Sequence, residues 1–147
     1  MTYASPDDAP SPGALRTAAI GRVLFSSVFV AAGLQHLVST DAVVARLEDA
    51  RLGFLATAVA SPRLLVVGAG LALLTAGSAL LVGFRVRAAA TVLAALLVPI
   101  SLTALVGTPG EAGPLMKNVA LFGGLLQLAA AAGATANAAK SCAMEES

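Results

Sequence analysis

Leu64 to Val82 reads LLVVGAGLALLTAGSALLV, and Ala88 to Leu105 reads AAATVLAALLVPISLTAL. At about 1.5 Å of rise per residue, the first run as a helix is about 28 Å long, close to the thickness of a bilayer's hydrocarbon core. Only Gly83-Phe84-Arg85-Val86-Arg87 separates the two runs. That segment is too short to do more than reverse the chain and too basic to sit in lipid. The pair therefore predicts a transmembrane helical hairpin.

Composition agrees with a lipid solvent. Of the residues, 58% are hydrophobic and 12% charged, and mean hydropathy is +0.88; soluble domains carry about 25% charge. With 147 residues there is room for one domain of four spans and none for a separate catalytic domain. A net charge of +1 leaves no nucleic-acid footprint. Cys142 is the single cysteine and His36 the single histidine, which excludes internal disulfides, cysteine-ligated clusters, bis-histidine haem and multi-histidine metal sites in one chain. No metal site and no autonomous catalytic or cofactor-ligand set is expected, so the chain is at most a subunit of an oxidoreductase.

The predicted fold class is an all-α membrane protein, a four-transmembrane-helix bundle with a short interfacial helix between helices 1 and 2. Residues 1–14 are Pro-, Ser- and Asp-rich and read as a disordered N-terminal tail. The transmembrane domain is expected over 15–136, with spans at about 15–38, 64–82, 88–106 and 117–134, and 137–147 reads as a polar C-terminal tail carrying Cys142. Ser39 to Pro62 mixes charged residues with Val43, Val44, Leu47 and Phe54, the pattern of an interfacial helix followed by a turn. Gly107 to Pro114, GTPGEAGP, is a second turn. The Arg85/Arg87 turn puts both termini on the cytoplasmic side of the cell's inner or plasma membrane.

Helical spacing then sorts the faces. Arg22, Ser26, Phe29, Gly33 and His36 recur at four, three, four and three residues and share one side of the first span. Arg22 and Ser26 are expected in the interior, or Arg22 reaches the headgroups. Gly70 and Gly77 on the second span, with Gly33 on the first and Gly123, Gly124 and Gln127 on the fourth, form small faces suited to close helix packing. Arg63, Arg85 and Arg87 are expected interfacial anchors. Pro99 should kink the third span.

In this topology the end of the first span and the starts of the second and fourth meet the end of the third at one membrane face. His36, Arg63, Ser101, Thr103, Lys117 and Asn118 then share a depth. An imidazole beside hydroxyl, amide and ammonium donors at an apolar rim can hydrogen-bond a quinone or another lipidic carbonyl compound. The expected ligand site is His36, Ser101, Lys117 and Asn118; the alternative is polar residues gathered at headgroup level without a ligand.

Three stretches carry a family resemblance: IGRVLFSSVFVAAGLQHL (Ile20 to Leu37), GLALLTAGSALLVGFRVRAAA (Gly70 to Ala90) and KNVALFGGLLQL (Lys117 to Leu128). They resemble the DoxX family of small four-helix membrane proteins, with Arg22, Gly33, His36, Arg85, Lys117 and Asn118 as matched positions. Relatives include a subunit of a thiosulfate:quinone oxidoreductase and others associated with membrane redox and oxidative-stress complexes. The resemblance implies quinone-linked electron transfer with other membrane redox-complex subunits as partners; apart from it, the lipid bilayer is an expected partner and a homo-oligomer stays open. Many relatives carry a further histidine or aromatic residue near the end of the third helix, where this chain has Pro99-Ile100-Ser101-Leu102-Thr103. A non-catalytic accessory subunit of a larger membrane complex is the second expectation. A small transporter is the third, suggested only by Pro99.

Overall fold

The computed structural model describes residues 11–102, 110 and 112–145. Among these the chain is helical without strands: α1 (Pro12–Val38), α2 (Thr40–Asp49), α3 (Gly53–Thr57), α4 (Pro62–Val82), α5 (Val86–Ile100) and α6 (Ala112–Glu145). Three segments, Pro12–Val38, Pro62–Val82 and Ala112–Asn137, are long and apolar enough to cross a membrane. Of the expected tails and turns, residues 1–10, half of Gly107 to Pro114 (107–109 and 111), residues 146–147 and the Cys142 side chain lie outside the described residues.

The elements differ from the sequence expectation at their ends, for local reasons. Helix α1 begins at Pro12, ahead of the expected Leu15, because Ser11 caps it. The Ala14 N–H donates to Ser11 Oγ at 3.3 Å, and Pro12 fills the first helical position, where no N–H is needed. Helix α6 begins at Ala112 and continues to Glu145, well past the expected stop near Ala134. Five of the twelve residues from Ala134 to Glu145 are alanine, the strongest helix former, so the rise in polarity there ends the apolar span without ending the helix. The connection after α1 holds two short helices in place of one. Helix α2 tucks Leu47 against the bundle and rests on α4.

Helix α5 is the shorter apolar helix, 15 residues, or about 22 Å. Pro99 lies in its last turn and supplies no N–H to the Ala95 carbonyl. Directly after it the backbone widens into a π turn at Ser101–Leu102, a local irregularity that re-aims side chains.

Between α4 and α5 the chain reverses through a Schellman cap. The Phe84 N–H donates to the Ala79 carbonyl at 2.8 Å and the Gly83 N–H to Leu80 at 3.2 Å, with Gly83 left-handed at φ 79°. Arg85 follows, also left-handed at φ 44°.

Packing runs in chain order: α1 on α4, α4 on α5, α5 on α6. Among the described residues no Cα of α1 lies within 8 Å of one on α6. Aromatic side chains fill that seam. The Phe25 and Phe29 rings meet edge-on at 5.5 Å, and Phe25 lies over Gly124, where a Cβ would stand 2.8 Å from the ring. Phe29, Leu73, Leu80, Leu93, Leu97 and Leu125 form the buried centre. Because lipid tails are as apolar as these side chains, close van der Waals fit holds such a bundle more than water exclusion does. The tightest fit is α1 on α4. A Cβ on Gly33 would lie 2.8 Å from the Gly70 carbonyl oxygen, and one on Gly77 would lie 3.1 Å from Phe29 Cβ.

Candidate functional site

At the end of α5 and the start of α6 two polar side chains meet inside an apolar surround. Asn118 Nδ2 donates to Ser101 Oγ at 3.1 Å, and both residues are half-buried. They line a recess of about 250 Å³ walled by Leu97, Leu102, Leu115 and Phe122. The π turn after Pro99 is what positions Ser101; residues 115, 118, 119 and 122 present the matching face of α6 by ordinary helical spacing. An amide nitrogen carries two hydrogens, so the Ser101 bond leaves Asn118 a second donor. The Ser101 hydroxyl, accepting from Asn118, keeps its own hydrogen to give. Two donors in an apolar recess can hold a carbonyl oxygen, since an unmet donor buried there is costly.

The other expected members of this site lie elsewhere. His36, placed from the sequence beside Lys117 or Asn118, instead stands against α4: its Cβ is 2.9 Å from where a Gly70 Cβ would be. It does not line the Ser101–Asn118 recess. Its Nδ1 donates to the Ala32 carbonyl at 2.8 Å, a bond within α1. The physical reason for the displacement is the Gly33–Gly70 contact, which draws α1 onto α4 and away from α6. Lys117 is exposed, one position off the recess. Thr103 lies outside the described residues. Arg63 is exposed and pairs with Asp41 at 3.4 Å, a surface pair worth little to stability.

Of the residues expected to pack, Gly33, Gly70, Gly77 and Gly124 each have a neighbour that a side chain would crowd, and Ser26 is fully buried with its hydroxyl donating to the Arg22 carbonyl. Gly123 faces open space and Gln127 is exposed, because Phe25 engages the Gly124 side of α6 and leaves the Gly123–Gln127 side outward.

The far end of the bundle is basic. Arg22 lies along the α4–α5 turn with its guanidinium 3.1 to 3.3 Å from where a Gly83 Cβ would be, and its buried Nε has no hydrogen-bond partner. Arg85 stacks 5.8 Å from the Phe84 ring centroid, and Arg87 lies across Gly133 of α6.

Sequence reasoning missed the recess walls. Their signal was present as Leu97 four positions before Ser101 and Leu115 and Phe122 three before and four after Asn118, but it could be recognised only once α5 and α6 were known to be neighbours.

A family model described as DoxX matches residues 17–106, more than half of the chain, from α1 through the end of α5. No curated protein and no solved structure matches the chain.

Proposed function

The chain belongs to the DoxX family of integral membrane proteins, and from that premise we propose that it serves quinone-linked membrane redox chemistry through partner proteins, binding a quinone or similar lipidic carbonyl compound between α5 and α6. The observation that carries this reading is the Asn118–Ser101 pair, two hydrogen-bond donors set in an apolar recess. Asn118 and Ser101 would hold a carbonyl oxygen, while Leu97, Leu102 and Phe122 would exclude water around it. The quinone, when bound, supplies the redox chemistry. With one histidine and one cysteine in the chain, the electrons come from a partner subunit's centre. In this reading α5 makes the crossing that brings the number to four, and both termini face the cytoplasm with the arginine turn.

The outward side of α6 favours a second reading, that of an accessory subunit. Gln127 presents an amide there at the middle of an apolar span, next to Gly123. An amide facing hydrocarbon is costly, and a partner helix would satisfy it.

Purification in mild detergent, followed by cross-linking with a photoreactive quinone and peptide mapping, tests the first reading. Labelling should concentrate on residues 97–102 and 115–122. Labelling spread evenly over the helices, together with co-purifying membrane proteins, would favour the second.

A further inference from the structure

The Arg85–Arg87 end holds a second, larger recess, of about 680 Å³, between the start of α5 and the last third of α6. Arg85 and Arg87 both line it, with Val86, Val92, Ala132 and Ala136 as its apolar residues. Arg87 lies across α6 at Gly133, its guanidinium passing 3.6 Å from where a Cβ would be, an ordinary van der Waals distance. Among the described residues neither arginine has a carboxylate partner. The cap position of α5, where Ser, Thr, Asp or Asn would ordinarily bond the first-turn N–H groups, is taken by Arg85 itself, which makes no such bond. Positive charge is therefore concentrated at one end of an apolar groove, with no anion among the described residues to neutralise it.

That combination selects among ligands. A small soluble anion would leave the groove uncovered, and a lipid of zero net charge would leave excess positive charge beside it. We propose that this recess binds an anionic phospholipid, with Arg85 and Arg87 on the phosphate and the groove on the first methylenes of an acyl chain. Guanidinium forks match phosphate oxygens in pairs. The helix-end position puts them at the headgroup level of a leaflet, where basic pockets between helices attract anionic lipid. The site is separate from the Asn118–Ser101 recess and does not depend on the quinone reading.

Native mass spectrometry of the full chain in mild detergent, with phosphatidylglycerol or phosphatidylcholine added, tests the proposal. Phosphatidylglycerol should be retained in preference, and each of R85Q and R87Q should weaken its retention roughly fivefold. Ala132→Phe fills the groove while leaving the charges in place and should weaken it too, so the test survives if the arginine variants fail to fold. R63Q, at the other end of the bundle, should change nothing. Equal retention of the two lipids, or retention of phosphatidylglycerol unaltered by R85Q, R87Q and Ala132→Phe, would overturn the proposal. So would complete displacement by an equal concentration of inorganic phosphate, which would make the free ion the ligand.

Discussion

Asn118 on α6 donates a hydrogen bond across 3.1 Å to the hydroxyl of Ser101, which follows α5, and it does so at the π turn after Pro99. Interhelical hydrogen bonds in membrane proteins contribute about 0.6 kcal/mol on average. A double-mutant cycle with Asn118→Ala and Ser101→Ala, read as unfolding midpoints in detergent, should give a coupling of about that size. A coupling of zero would mean the two side chains act independently.

The α1–α4 contact should rank glycine substitutions by the space beside each. Gly33→Ala meets the Gly70 carbonyl oxygen and Leu74 at 2.8 Å, Gly77→Ala meets Phe29 Cβ at 3.1 Å, and Gly123→Ala meets nothing within 4 Å. Overpacking typically costs about 1 to 3 kcal/mol. Stability in detergent should fall most for Gly33, less for Gly77 and hardly at all for Gly123. A different order would put another face of α4 against α1.

Gly83→Ala should destabilise by about 1 kcal/mol or more, because φ 79° is left-handed and the Arg22 guanidinium occupies the space beside it. Asparagine, which tolerates this region better, should cost less at the same position. Equal losses for alanine and asparagine would show that crowding by Arg22, and not backbone conformation, sets the cost.

Four crossings require that a reporter inserted in the α4–α5 turn at Phe84 and one inserted at Gly110 lie on opposite sides of the membrane. Both reporting the same side would leave α5 as a helix that does not cross.

The hairpin, its arginine turn and the glycine faces of α1 and α4 were legible because each is local: a run length, a breaker cluster, a residue every three or four. Helix ends were less so. The polar residues after Ala134 suggested a tail, yet alanine propensity carries α6 on to Glu145. The candidate site was legible in half. Ser101 and Asn118 follow from placing the end of one helix beside the start of the next, since the short connection leaves little choice. His36 does not follow in the same way, because depth in the membrane fixes only one coordinate. Which neighbour a helix turns to is decided by packing, and Gly33 against Gly70 commits α1 to α4. The recess at Arg87 is completed by Ala132 and Ala136 of α6, residues that sequence spacing had not singled out.

The central claim is that a carbonyl ligand is held by Asn118 and Ser101 and not by His36. Equilibrium binding of a short-chain quinone to the purified protein tests it most directly, comparing Asn118→Ala, Ser101→Ala and His36→Ala, with folding followed in parallel. A lost hydrogen bond costs about 0.5 to 1.5 kcal/mol, so each of the first two variants should bind roughly two- to tenfold more weakly. His36→Ala keeps the Cβ that packs near Gly70 and should bind as the wild type does. Unchanged affinity in Asn118→Ala and Ser101→Ala, or a loss confined to His36→Ala, would contradict the account.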